Sequence, residues 1–294
     1  MTKLSIVLAT RNEEENIGRC LQSVKPIADE IIVMDEASTD RTGEIAKSFG
    51  AKVFEVKHEP IFHKTKQKAL EEASGDWIFQ LDADEVVTPK LAREIKHVLG
   101  ITNKELWEES RSKFKSKKDE LFRRHQREVE KRDGKIGKET GEIVGFFVPR
   151  VNYFLGKPLI HAGAYPDGVI RLVKKGRAHF PAKSVHEQII LDGEVAWLFN
   201  NLEHHDTPTL KRYFTRMNRY TDLKTEELKN EKTLKNLWNL LKFTLLLPTY
   251  YFLLLYVRHA GFLDGARGFL WSIFSSWHYP VAYFKYWTSY NRTR

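Results

Sequence analysis

The chain has one cysteine, Cys20, among 294 residues, so no intrachain disulfide can staple it. That usage fits a reducing compartment. Cys20 shares a helical stripe with Ile17, Leu21 and Val24, which reads as a buried structural thiol rather than a nucleophile. A secretory signal is also lacking: Leu4-Ser5-Ile6-Val7-Leu8-Ala9 is too short for an apolar leader core and runs straight into Arg11-Asn12-Glu13-Glu14-Glu15. No Gly-x-Gly-x-x-Gly follows the first strand and no Walker A sequence is present, which argues against ordinary dinucleotide or P-loop binding. Phe243–Val257 carries no charge for fifteen residues, yet Pro248 interrupts it and it falls short of the ~20 apolar residues a spanning helix needs. Net acidity is absent as well. The formal charge is +9, a balance that suits anionic partners such as nucleotide diphosphates or lipid headgroups. With 41% hydrophobic and 30% charged residues, the bulk of the chain is globular rather than disordered.

Residues 1–100 alternate strand and helix signals. Apolar runs at Leu4–Thr10, Glu30–Asp35, Lys52–Val56 and Asp76–Leu81 read as strands. Helices are expected at about Glu14–Ser23, from Thr39-Asp40 to Phe49, at about Phe62–Ala73, and over Pro89–Leu99 closed by Gly100. Continuous apolar strands between helices imply an α/β fold with a mostly parallel sheet covered on both faces. Residues 103–140 hold 13 Lys/Arg and 9 Asp/Glu in 38 positions and read as a charged helical excursion or mobile insertion. Strands resume at Ile143–Pro149, Val169–Lys174 and Val185–Leu191. From Pro208 the pattern is helical, and Arg258–Arg294 holds eleven aromatics together with Arg267, Lys285, Arg292 and Arg294. Aromatics interleaved with cations suit a membrane interface; a helical pair packed on its own domain is the alternative. The expected organisation is a catalytic domain over 1–206 and a helical, membrane-associating region over 207–294. Within the first, 1–100 would be the nucleotide-sugar half and 141–206 the acceptor side.

The chemistry concentrates where strands end. Asp82-Ala83-Asp84 closes the run Trp77-Ile78-Phe79, and Thr88-Pro89 then opens a helix. Two carboxylates two residues apart on extended chain point the same way, towards the crevice at the carboxyl edge of an α/β sheet. Hard oxygen ligands there suit Mg²⁺ or Mn²⁺ carrying a diphosphate. An acidic strand-to-helix turn with an Asp cap is the competing reading. Leu8–Glu14 and Asp35–Asp40 end the first and second strands in the same manner, Lys64–Leu70 opens the third helix, and His186-Glu187 follows about a hundred residues later. His204-His205-Asp206 resembles a metal cluster by letters, but adjacent residues on a strand rarely share one metal, so it reads as structural or acceptor-proximal.

This ordered set resembles the family-2 glycosyltransferases of GT-A fold, closest to the branch that adds a sugar to lipopolysaccharide core. The resemblance rests on Ala9–Glu14, Asp35–Thr42, Gly75-Asp76-Trp77, Leu81–Glu85, Pro149-Arg150, Asn152–Lys157, Arg171-Leu172, His186-Glu187 and Gly261–Gly265. It implies that Thr10, Asn12, Glu13 and Asp35 hold the nucleoside and that Asp84, with Asp82, holds Mg²⁺ or Mn²⁺ on the diphosphate. Glu187 would be the general base of an inverting transfer, with His186 orienting it or touching the sugar. Lys66 would approach the diphosphate, and Arg171 would clamp a phosphate or acceptor anion. The second motif departs from the family at Glu36 and Ala37, where a small residue and Gly are more usual; Glu36 adds negative charge near the nucleotide. Gln-x-x-Arg-Trp, the mark of processive synthases, is missing.

The expected function is therefore metal-dependent, inverting transfer of one hexose, with UDP-glucose the first candidate donor, to a lipid-linked saccharide at the cytoplasmic face of the membrane. An anionic membrane surface is the expected partner and nucleic acid is not. A transferase that loads polyprenyl phosphate shares the donor half and is the nearest rival; a nucleotidyltransferase, which would release pyrophosphate, is the next. A nucleic-acid-binding module ranks last, because acidic strand ends would repel a phosphate backbone.

Overall fold

The computed structural model describes residues 2–113, 117–181 and 188–289. The chain divides into two compact units, Met1–Arg150 with Pro166–His204, and Val151–Tyr165 with His205–Arg294.

The first unit bears out the α/β reading. The strands, in the first unit unless stated, are β1 (Leu4–Thr10), β2 (Glu30–Asp35), β3 (Lys52–Glu55), β4 (Trp77–Leu81), β5 (Glu85–Val87), β6 (Ile143–Phe154), which runs on into the second unit, β7 (Lys157–Pro158), which belongs to the second unit, β8 (Asp167–Lys174), β9 (Ala178–His179), β10 (Ile190–Leu191), β11 (Glu194–Trp197) and β12 (Leu202–Thr207), which also runs on into the second unit. The main sheet runs β3-β2-β1-β4-β8-β6-β12-β5, with β7 and β11 beside β6. From β3 to β4 the pairing is parallel. Beyond β4, β8 pairs antiparallel with both β4 and β6 and β12 antiparallel with β5, while β11 pairs parallel with β6. Leu4, Ile6, Val7 and Leu8 are all buried, as a strand covered on both faces requires. Each such side chain contributes roughly 1.5–3 kcal/mol of burial. The register sets Thr10 opposite Asp35 and Leu8 opposite Leu81. The carboxyl ends of β1, β2 and β4 therefore share one sheet edge.

Local chemistry fixes the connections. Helices α1 (Ile17–Val24), α2 (Thr42–Ser48), α3 (His63–Glu72) and α4 (Pro89–Gly100) follow successive strands. Thr88 caps α4 by accepting from the Leu91 N–H at 3.2 Å, and Pro89 fills the first helical position. Cys20 is buried in α1, and burial pushes its thiol up, which fits the structural reading. A Cβ on Gly75 would lie 2.9 Å from the Lys3 carbonyl oxygen, so only glycine lets the chain press against β1 before β4 begins.

The charged stretch after α4 is helical, as α5 (Asn103–Lys113) and α6 (Lys117–Asp133). It is not a loose insertion. Its few apolar residues Leu106, Phe122, Val129 and Ile136 are buried, and Phe122 stacks on Trp197 at 4.8 Å. Sparse apolar residues at the right phase are enough to seat a helix whose charges face water.

The second unit is mainly helical: α7 (Leu210–Asn230), α8 (Leu237–Arg258) and α9 (Gly265–Thr288). Thr209 caps α7 through the Arg212 N–H. Tyr213 of α7 packs against Trp271 and Phe274 of α9, and Leu228 joins Phe243, Tyr283 and Tyr286 in a buried cluster. On the other side, α8 places Phe243 on Tyr283 at 4.8 Å and Tyr251 on Tyr279 at 4.6 Å. Pro248 does not break α8, contrary to the reading from sequence. The helix runs for 22 residues, with π-helical turns at Lys242–Leu246 and Leu254–Arg258. A π turn just before proline changes the hydrogen-bond ladder where proline has no N–H to give.

Candidate active site

The site grows from the carboxyl edge of β1, β2 and β4. Thr10 ends β1, and its hydroxyl is buried with no hydrogen-bond partner among the described residues. A buried orphan of this kind costs about 1–3 kcal/mol and calls for a ligand. Asp35, opposite it at the end of β2, is buried too, and accepts from the Ser38 backbone N–H at 3.2 Å and from the Ser38 hydroxyl.

The two loops beyond these strands are laced together. Asn12 has a left-handed backbone; its N–H donates to Ser38 Oγ at 2.9 Å and its Oδ1 accepts from the Thr39 N–H at 2.8 Å. Glu13 donates its N–H to Thr42 Oγ1 at 2.8 Å and receives Asn16 Nδ2 at 2.7 Å. Both residues, expected at the nucleoside, brace the rim of that position. Ala37 is left-handed as well, at φ +50°, which gives the family's usual glycine there a physical reason. Glu36 does not add free charge beside Asp35. Its buried carboxylate accepts from Thr65 and meets His58 Nδ1 at 2.6 Å.

Behind this edge lies a buried ionic network. Asp82 Oδ1 meets Lys66 Nζ at 2.5 Å, and its Oδ2 meets Arg171 at 2.5 Å. Arg171 also donates to Gln80 and, at 2.6 Å, to Glu85, whose side chain is fully buried. Arg150 reaches the same Glu85 at 3.1 Å and Asp167 at 2.7 Å. Glu85 in turn accepts the Asp82 N–H at 3.0 Å, which locks the turn that carries Asp84. Burial works to raise the Asp82 pKa, but Arg171 and Lys66 outweigh it and hold the carboxyl well below its usual range.

This arrangement gives three of the expected site residues partners within the protein. Lys66, expected near the diphosphate, and Arg171, expected to clamp a phosphate or acceptor anion, are 6% and 5% exposed and pair with Asp82 and Glu85. Asp82, read as a metal ligand beside Asp84, has both oxygens held by cations. All three serve here as the scaffold of the Asp84 turn.

Asp84 instead faces a residue the sequence did not assign to it. Its Oδ1 lies 3.6 Å from His204 Nε2, because β12 pairs antiparallel with β5 and sets His204 opposite Glu85. Burial, and then the Arg150 charge, push the His204 imidazole well below its ordinary value, which favours the neutral form that metals bind. A carboxylate and a neutral imidazole are a donor set suited to Mn²⁺ or Mg²⁺ that also binds substrate oxygens and water. Among the described residues no group of three His, Cys, Asp or Glu side chains could hold a metal alone. His186 and Glu187 lie outside the described residues. Of the residues not assigned from sequence, Glu85 and Arg150 were legible only as motif letters, and His204 only through its strand pairing.

Residues 5–148 match the model of glycosyl transferase family 2. An uncharacterized glycosyltransferase of Rickettsia typhi is 42% identical over 107 residues, which cover 36% of this chain and 36% of the relative. The chain thus matches little more than a third of that relative's length. The lipopolysaccharide core biosynthesis glycosyltransferase LpsC of Rhizobium meliloti is 26% identical over 278 residues, 91% of this chain and 85% of the relative. A solved structure of glucosyl-3-phosphoglycerate synthase from Mycobacterium tuberculosis, in complex with Mn²⁺, UDP and glucosyl-3-phosphoglycerate, is 29% identical. It covers 34% of this chain and 39% of that one, with a TM-score of 0.29.

Proposed function

We propose that this chain, which carries a family 2 glycosyl transferase domain over residues 5–148, moves one hexose from a UDP-sugar to a lipid-linked saccharide at the cytoplasmic face of a membrane, with inversion at the anomeric carbon. The observation that carries the reading is the sheet edge itself. An unpartnered buried hydroxyl at Thr10 and a carboxylate at Asp35 end two strands, and the Asp84–His204 pair stands beyond a third. The first two suit a nucleoside, whose ring N–H and ribose hydroxyls a carboxylate and a hydroxyl can engage. The last suits a divalent ion on the diphosphate. The likeness to LpsC along most of the chain supports a saccharide acceptor of the lipopolysaccharide core kind.

In this reading the acceptor oxygen attacks C1 as the bond from C1 to the diphosphate oxygen breaks. The acceptor proton passes to Glu187, and UDP departs with the electron pair. Asp84 and His204 would hold Mg²⁺ or Mn²⁺, which when bound offsets the charge on the departing diphosphate. Lys66, Arg171, Arg150 and Glu85 do not touch the reacting atoms; they fix the Asp84 turn before substrate arrives.

The test is release of nucleoside diphosphate by the purified chain from a panel of nucleotide sugars, with Mn²⁺ or Mg²⁺ and with EDTA as control. Metal-dependent UDP release from one donor is expected. Pyrophosphate release would replace the reading by nucleotidyl transfer, and calorimetry showing no UDP binding would overturn it.

A further inference from the structure

We infer that one face of α8 lies in the plane of an anionic lipid leaflet, buried to the depth of its side chains, and does not cross the bilayer. Leu237, Leu241, Leu245, Thr249, Leu253 and Val257 are spaced by four, and all are exposed. Leu246 and Tyr250 widen the same stripe, while the opposite face of α8 packs Phe243 and Tyr251 on α9. Only 11% of the apolar window in α8 is buried within the protein, so the helix is not a core element. An uncovered apolar stripe of this length marks an interaction surface.

Charge selects the occupant. No Asp or Glu occurs between Glu231 and Asp264, whereas Lys232, Lys235, Lys242 and Arg258 flank or edge the stripe. Trp238, at the amino end of the helix, is exposed beside them. Leucines for the acyl region, a tryptophan at the polar boundary and cations without counter-charge match the headgroup layer of anionic lipid. A second copy of the chain would present the same unpaired cations to themselves, which disfavours self-association through this face.

The neighbouring helices decide between lying and spanning. By length α8 could cross a membrane. Yet α9 packs on α8 and along its other side on α7, through Tyr213, Leu228 and the bonds from Lys285 to Asn218 and Asp222. Helix α7 carries Lys211, Arg212, Arg216, Arg219, Asp222, Lys224, Glu226, Glu227 and Lys229. A spanning α8 would draw that charged helix into hydrocarbon, at a cost no contact here offsets. An in-plane α8 exposes only its own stripe.

This inference deepens the proposed lipid-linked acceptor, but its readout needs neither donor nor acceptor, so the two readings fail separately. The full chain is floated with vesicles of phosphatidylcholine alone or mixed with phosphatidylglycerol. A Leu246→Cys variant carries an environment-sensitive dye, Cys20 being buried. Flotation with the anionic vesicles and a blue-shifted dye are expected. The exposed pair Leu245→Glu and Leu253→Glu together is expected to weaken binding at least ~10-fold without changing the circular dichroism spectrum. Alkaline carbonate is expected to release the bound protein. Absence of flotation, equal binding by the double variant, or a dimer in lipid-free solution that the double variant dissociates would overturn the lipid face. Resistance to carbonate would overturn its in-plane arrangement.

Discussion

Lys66 and Arg171 grip opposite oxygens of one carboxylate, Asp82, each at 2.5 Å. Neither cation points at open space, and the Asp84 turn is held by a paid-up ion network rather than by substrate. Arg171→Met is therefore expected to destabilise the fold by about 3 kcal/mol, because it takes a buried cation from both Asp82 and the fully buried Glu85, leaving Glu85 with Arg150 alone. Urea unfolding would check this, with Arg171→Lys recovering part of the loss. A raised KM for donor at unchanged stability would instead mean that Arg171 works on substrate.

Asp84→Ala removes a carboxylate that no strand pairing needs. Loss of metal-dependent UDP release by at least ~100-fold is expected, with stability changed by under ~1 kcal/mol. His204→Ala is expected to raise the Mn²⁺ concentration needed for half-maximal release by at least ~10-fold. Full activity of Asp84→Ala at low metal would refute the metal assignment.

Thr10→Val exchanges a buried, unpartnered hydroxyl for a methyl of nearly the same shape. The free protein is expected to be unchanged or up to ~1 kcal/mol more stable, while UDP binding measured by calorimetry weakens by roughly 5–10-fold. Equal UDP affinity in both proteins would remove Thr10 from the nucleoside site.

Ala37 holds a left-handed backbone at φ +50°. Ala37→Gly is expected to relieve about 1 kcal/mol of that cost, read as a raised denaturation midpoint with unchanged slope.

Glu30 sets an acid limit. Burial works to raise its pKa, but hydrogen bonds from the Ser5 hydroxyl, the Ser74 N–H and hydroxyl, and Lys52 prevail and bring it from 4.5 to about 2. A carboxylate with a depressed folded pKa stabilises fully above the unfolded value and loses that contribution as pH falls through the folded one. Glu30→Gln is expected to cost about 3 kcal/mol at neutral pH, and the difference from the parent should close between about pH 4 and pH 2. A pH-independent difference would assign the loss to packing instead.

Much of this was legible in the sequence for physical reasons. Continuous apolar runs such as Ile31–Met34 can only be strands covered on both faces, and Thr88-Pro89 states a helix start in two letters. The acidic strand ends were visible as carboxylates gathered at one sheet edge, although Glu36, Asp82 and Glu85 there are held by partners within the protein. Hidden were the properties that depend on what comes from far along the chain. Whether Asp82 binds metal or a cation depends on Arg171, 89 residues away, and Asp84 gains His204 only through the β5–β12 register. The strand Leu202–Thr207 was not legible in the sequence, since the polar run Glu203–Asp206 shows no apolar alternation. Pro248 interrupts the apolar run by letter, but its missing N–H disturbs one turn of a helix that continues beyond it.

The π turns of α8 have a geometric consequence. An α-helix advances 100° per residue, so side chains repeating every four residues drift by about 40° at each step and would wind about 200° round the axis from Leu237 to Val257. The wider turns at Lys242–Leu246 and Leu254–Arg258 take up that drift and keep the row on one side. Phase, not composition, is then the quantity conserved along this helix. Removing a single residue near Thr244 would let that turn relax to an α turn and leave Leu253 and Val257 in line, whereas removing one from the α-helical turn near Tyr250 would swing Val257 out of line by about 100°.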